Sequence, residues 1–131
     1  MLLVKTRIGP SKIAGIGLFA DQFISKGTMI WKFTPGLDLE VNRCKLARLS
    51  PAAKKQFLNY AYLIPDTSTY VLCFDDARFF NHSECPNVLD VEVPGEENWV
   101  VVARGDIAKG DELTCDYRGF DADFNCKMEM H

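Results

Sequence analysis

The sequence is poor in the features that mark a metal centre, a membrane span or a nucleic-acid binder. It holds two histidines, at 82 and 131, and its five cysteines, at 44, 73, 85, 115 and 126, include no Cys-x-x-Cys pair. No zinc-ligating set is expected, and the thiols are expected to be reduced and mostly buried. No apolar run approaches the roughly 20 residues that cross a bilayer, and Met1-Leu2-Leu3-Val4-Lys5 lacks the layout of a secretory signal. The expected location is cytoplasmic or nuclear, cytoplasmic for a bacterial source, without secretion. A basic excess is missing too: 15 Lys and Arg stand against 18 Asp and Glu, a net charge of -3. No bulk attraction therefore draws the chain onto nucleic acid or anionic lipid, and a basic partner suits it better. No third glycine follows Gly15-Ile16-Gly17, no Gly-x-Ser-x-Gly occurs and no Gly-Lys-Ser/Thr occurs. Dinucleotide-fingerprint, serine-hydrolase and phosphate-loop readings fail on these grounds.

What remains is ample for one core. The 131 residues are 47% hydrophobic and include nine Phe, four Tyr and two Trp, which predicts a single folded domain over 1–131. Residues 2–7 alternate apolar and polar and predict a strand turned by Gly9-Pro10-Ser11; residues 16–19 form the next apolar stretch. Residues 23–33 predict a turn at Lys26-Gly27 feeding a strand closed by Thr34-Pro35-Gly36. Leu39, Arg43, Leu46 and Leu49 carry a weak helical period. Ser50-Pro51 then restarts the chain with a cap and a first-turn proline, ahead of Ala53, Phe57, Tyr60, Ala61 and Ile64, so a helix is predicted over about 51–62. Residues 69–74 and 88–93 predict strands, the second paired with 99–102 across the turn at 94–98. The class is mostly β with short helices. One echo recurs: Ile24-Ser25-Lys26-Gly27 and Ile107-Ala108-Lys109-Gly110 predict the same turn before a strand.

Three segments carry candidate chemistry. Glycines spaced as in Gly15-Ile16-Gly17 let backbone approach a ligand closely, or form a plain β-turn. Arg78-Phe79-Phe80-Asn81-His82-Ser83-Glu84-Cys85-Pro86-Asn87 packs polar groups into a turn, as a binding loop or as an Asx-type turn that satisfies its own backbone. Gly110-Asp111-Glu112-Leu113-Thr114-Cys115-Asp116-Tyr117 reads as a strand ending in an acid and a phenol, for packing or for reaction.

In this order, with the Lys26-Gly27 unit between the first two, these segments resemble the SET-domain protein lysine methyltransferases over roughly residues 5–120. The resemblance implies small β-sheets with a pseudoknot-like C-terminal crossing. It implies S-adenosylmethionine, leaving as S-adenosylhomocysteine and without a metal, against the backbone of Gly15, Ile16 and Gly17 and against Asn81 and His82. Tyr117 is implied as the catalytic tyrosine, near the sulfonium methyl and the lysine nitrogen. Phe120 and Phe124, in a cover segment over about 118–131, would close the adenine site or the lysine channel. A variable insert over about 36–70 would form one wall of a peptide groove, with Tyr60 and Tyr62 as channel residues or as core. Asp66, Asp75 and Asp76 would attract a basic peptide or simply form a solvated loop. The implied substrate is a lysine in a protein or peptide, of a histone or another basic protein; a catalytically silent module that binds a partner is the alternative.

The chain departs from the family pattern at three points. Glu84-Cys85 displaces by one position a cysteine that many members carry after Asn-His-Ser. Only Cys126 follows Tyr117, so the zinc-bearing module of many histone enzymes is not expected here, and residues 120–124, the substrate or a second subunit would close the tunnel; a homodimer would do so. Cys115 stands where relatives carry a Phe or Tyr that limits the number of methyls added, which predicts products beyond monomethyl-lysine.

Overall fold

The computed structural model describes residues 1–64, 67–96 and 100–116. Strands β1 (Thr6–Pro10) and β2 (Ile16–Ala20) form an antiparallel hairpin in which Thr6 faces Ala20 and Pro10 faces Ile16. The ladder starts later than the alternation over 2–7 predicts. Leu2 makes only a bridge to Trp31, and Leu3 N donates to Ile30 O at 2.7 Å, so the first residues run beside the next sheet. Gly9-Pro10 lies within β1 instead of turning it; Pro10 is tolerated at the strand's last residue, where a missing donor costs little. The turn itself is residues 11–15, closed by Ser11 N to Gly15 O at 2.9 Å.

β3 (Met29–Lys32) pairs antiparallel with β9 (Val100–Ala103), which also pairs with β8 (Val88–Val91), as the turn after residue 93 predicts. The third sheet has the order β4 (Leu39–Asn42), β6 (Thr69–Leu72), β5 (Tyr62–Leu63). Here the weak helical period over 39–49 misleads. Leu39 to Asn42 is strand, paired residue by residue with β6, and only α1 (Arg43–Leu46) is helical, capped by Asn42 Oδ1 accepting from Cys44 N at 2.9 Å. Strand pairing overrides a propensity worth only tenths of a kcal/mol per residue. Helix α2 (Pro51–Tyr60) forms where predicted: Ser50 Oγ accepts from Ala53 N at 3.2 Å, Pro51 opens the first turn, and Ala61 turns extended to end it. A 3-10 turn (Asp76–Phe79) leads into β7 (Asn81–His82), whose partner is β10 (Thr114–Cys115), in parallel. Asn81-His82 is therefore strand; the local side-chain turn sits just after it, where Ser83 Oγ accepts from Cys85 N at 3.1 Å.

Two cores result. The larger gathers Leu18, Ile24, Ile30, Trp31, Val88 and Leu113 with Cys73 and Cys115; the smaller packs Leu46, Ala61, Leu63 and Tyr70, with Phe57 set edge-on to Tyr70 at 6.0 Å. Asp38 is buried yet satisfied: its carboxylate accepts from the Met1 amine at 2.7 Å, Thr34 N at 2.9 Å and Phe74 N at 3.3 Å. Contrary to expectation, Cys44 and Cys85 are exposed, on a short helix and a loop, while Cys73 and Cys115 are buried.

The echoed segments meet. Ile24 and Ile107, both buried, exchange backbone hydrogen bonds at 2.9 and 2.8 Å. Each is followed by a turn with its glycine at positive φ, Gly27 at 84° and Gly110 at 96°, closed by Thr28 N to Ser25 O and by Asp111 N to Ala108 O, both at 3.1 Å. A glycine at the third position of such a turn is what its geometry requires.

Candidate active site

Three segments distant in sequence converge on the side chain of Asn81. Its Nδ2 donates to Glu112 Oε2 at 2.9 Å and to Ala14 O at 3.1 Å, with Ile16 O at 3.4 Å. All three neighbours are acceptors, so the amide can face them only with its NH2. The glycine turn, the Asn81-His82 strand and the segment entering β10 are thus held together by one amide.

The two glycines, Gly15 ending the turn and Gly17 on β2, are there for different reasons. Gly15 has φ of 44° with nothing within 4 Å of where a Cβ would stand, so it supplies a left-handed kink and leaves an open face. At Gly17 a Cβ would stand 2.5 Å from Glu112 Oε2 and 3.0 Å from Ser11 Cβ, so the room it leaves is taken by this chain's own carboxylate. Close approach was the expectation, but at Gly17 the approaching group is internal.

Glu112, Ser11 and Asn87 join the candidate site in the structure, and the sequence assigns them no role. Ser11 Oγ donates to the Glu112 carboxylate, with its oxygens at 2.7 and 2.9 Å, and accepts from Ile13 N at 2.9 Å. Asn87 clips the last strand: Nδ2 donates to Glu112 O at 2.8 Å and Oδ1 accepts from Thr114 N at 2.9 Å. Glu112 and Asn87 stand inside the segments singled out above, and Ser11 inside the predicted turn; their shared partners lie dozens of residues away, so no local spacing reveals the link.

His82, half-buried, places Nδ1 3.7 Å from Asp116 Oδ1, immediately before position 117. Burial, and then the Asp116 carboxylate, push Asp90 on β8 up to about 6. Tyr117, Phe120 and Phe124 lie outside the described residues, as does Asp66. Cys115 is part of the larger core, with Sγ 3.9 Å from Asn81 O. Tyr62 is half-buried against the same core, whereas Tyr60, at the end of α2, stays partly exposed between Phe79, edge-on at 6.1 Å, and the Arg78 guanidinium 5.1 Å above its ring. Asp75 is occupied internally, accepting from Leu2 N at 2.8 Å and Ala77 N at 3.1 Å, so it is not simply a solvated loop charge. Among the described residues no group of three His, Cys, Asp or Glu side chains could hold a metal ion.

Comparison with known proteins identifies the family. The SET domain family model matches residues 15–118. Histone-lysine N-methyltransferase ATX2 of Arabidopsis thaliana is 31% identical over 88% of this chain, and histone H3-lysine(4) N-trimethyltransferase ATX1 of the same plant is 32% identical over 86%. An H3 lysine-4 specific histone-lysine N-methyltransferase of Schizosaccharomyces pombe is 30% identical over 84%. This chain spans only 11 to 12% of the length of these relatives. In fold it is similar to the Chaetomium thermophilum Polycomb Repressive Complex 2, with a TM-score of 0.69 at 19% identity, covering 97% of this chain and 17% of that one. Since the matched span runs over most of the chain and takes in Gly15, Gly17, Asn81 and β10, the chain belongs to the SET domain family.

Proposed function

We propose that this protein is a protein-lysine N-methyltransferase that uses S-adenosylmethionine to methylate the side-chain amine of a lysine in a histone or another basic protein. The observation that carries the reading is the Asn81 amide bound to both Ala14 and Glu112, because it assembles the whole implied cofactor site from segments far apart in sequence. The residues present fit such a group: the turn at Gly15 offers an open, exposed backbone face beside Asn81 and His82. The Asn81 NH2 is already engaged within the protein, so its contribution to a ligand comes from its backbone and from holding the turn. The parallel β7–β10 pair supports a pseudoknot-like crossing of the C-terminal segment. The smaller core, drawn from residues 46–70, supports reading 36–70 as an insert that walls a groove.

The bound cofactor supplies a methyl group on a sulfonium, open to in-line displacement by an amine. The protein's task is to align the lysine nitrogen and keep water away. Tyr117, following Asp116, orients the amine and shapes the local field; a phenol, ordinarily ionising near pH ~10, stays protonated at neutral pH and is a poor general base. The lysine, ordinarily near 10.4, loses its proton to solvent before transfer. The carboxylates at 90 and 116 favour the approach of a cationic side chain, and the histone-directed relatives support a histone tail as the first substrate to try.

The test incubates the purified protein and Tyr117→Phe with methyl-labelled S-adenosylmethionine, histones and other basic proteins. Label on lysine, reduced about 100-fold or more in the variant, is expected; no transfer to any substrate despite cofactor binding would favour a silent module. Mass spectrometry of the product should find dimethyl- or trimethyl-lysine, since Cys115 brings no phenol, and monomethyl-lysine alone would refute that. A homodimer would shelter the groove, and light scattering that finds only monomer at assay concentration would remove that part of the proposal.

A further inference from the structure

Glu112 occupies a junction that cofactor contact alone does not require. Its carboxylate receives the Ser11 hydroxyl from one side and the Asn81 amide from the other, and it fills the space that Gly17 leaves. Its backbone bridges Phe19 on β2, and its carbonyl oxygen is held by Asn87. The next residue, Leu113, donates to Leu18 O at 2.7 Å. Every part of the glycine turn is therefore measured from this one side chain: the start of the turn through Ser11, its far limb through Gly17, and the opposing strand through Asn81.

From this geometry we infer that Glu112 is a positioning residue that sets the gap between the Gly15–Gly17 backbone and the β7 strand, and so determines cofactor affinity without touching the cofactor. The inference rests on the functional reading above. A carboxylate suits the position because it only accepts, and both side chains aimed at it donate. Removing it leaves the Asn81 NH2 and the Ser11 hydroxyl without their shared acceptor and opens a void beside Gly17. The turn then loses its reference distance while β1 and β2 keep their ladder.

Calorimetric titration with S-adenosylhomocysteine tests this. Glu112→Ala should weaken binding about tenfold, as expected for losing hydrogen bonds to a charged group. Glu112→Gln should stay within about threefold, because its amide can still accept from Asn81 and donate to Ser11. The loss should appear more in the KM for S-adenosylmethionine than in kcat at saturating cofactor, since ground-state cofactor binding is what the residue tunes. Gly17→Ala should weaken binding strongly in the unaltered chain and much less in the Glu112→Ala background, where the obstructing carboxylate is gone. A folded Glu112→Ala that binds as tightly as the unaltered chain, a Gln variant as weak as Ala, or strictly additive losses with Gly17→Ala would each overturn the inference. If Glu112→Ala does not fold, Ser11→Ala takes its place, and unchanged affinity there overturns it equally. No binding by the unaltered chain would overturn the functional reading instead.

Discussion

At the scale of single residues, Asp90 and the cysteines give the sharpest tests. Asp90 moves from an ordinary 3.8 up to about 6, chiefly by burial. Between these values the folded chain keeps a proton that the unfolded chain has released, so stability falls as pH rises through this window and stays lower above it. Asp90→Asn should remove that loss. Water still reaches the carboxyl, which limits the gain at pH 7 to about 1 kcal/mol; thermal melts at pH 4 and pH 7 would show it, and an unchanged melting temperature at pH 7 would refute it. Burial also pushes the Cys73 thiol up to about 12. Alkylation of the native protein at pH 8 should therefore mark the exposed Cys44 and Cys85 well before Cys73, as peptide mapping would reveal. Some of this scale was legible in advance. Gly15, Gly17, Asn81 and His82 stand out by type and spacing, but the carboxylate that makes Gly17 necessary lies far along the chain and leaves no local mark.

At the scale of elements, turns and caps were readable because their chemistry is local. Ser50-Pro51 sets the start of α2, and each Lys-Gly pair sets a turn, whatever surrounds them. Gly27→Ala and Gly110→Ala should each destabilise the protein by about 1 to 2 kcal/mol, because each backbone is left-handed although the space around it is open. Urea unfolding checks this, and a loss below a few tenths of a kcal/mol would contradict it. Strand β4 was not readable. Its pairing with β6 decides its conformation, and the sequence over 39–49 displays only a faint period that the sheet overrides. The same limit applies to β7: two residues, Asn81 and His82, are strand only because β10 lies beside them.

At the scale of the whole molecule, the early and late parts of the chain complete one another. Ala20 N donates to Asp111 O at 2.9 Å, Gly110 N to Ala20 O at 2.8 Å, and Ile24 pairs with Ile107. The family resemblance could announce this arrangement, but periodicity could not, since it carries no record of which distant strands pair. Asn87 is the most economical place to break it. Asn87→Ala removes both bonds that clip the entry to β10, at an expected cost of about 2 kcal/mol, and hydrogen exchange should show residues 112–115 losing protection first. Global opening without that local loss would argue against the clip. Pairings of such long range also predict folding on the millisecond-to-second scale.

The bond between Ser11 and Glu112 spans 101 positions in the chain. A ribosome adding roughly 5 to 20 residues per second needs about 5 to 20 s to cover that distance. Throughout that interval the nascent glycine turn has been made but lacks its carboxylate anchor. The full capacity to hold a cofactor thus waits for Glu112, and a chain stalled before that codon would present the right glycines without the carboxylate that spaces them.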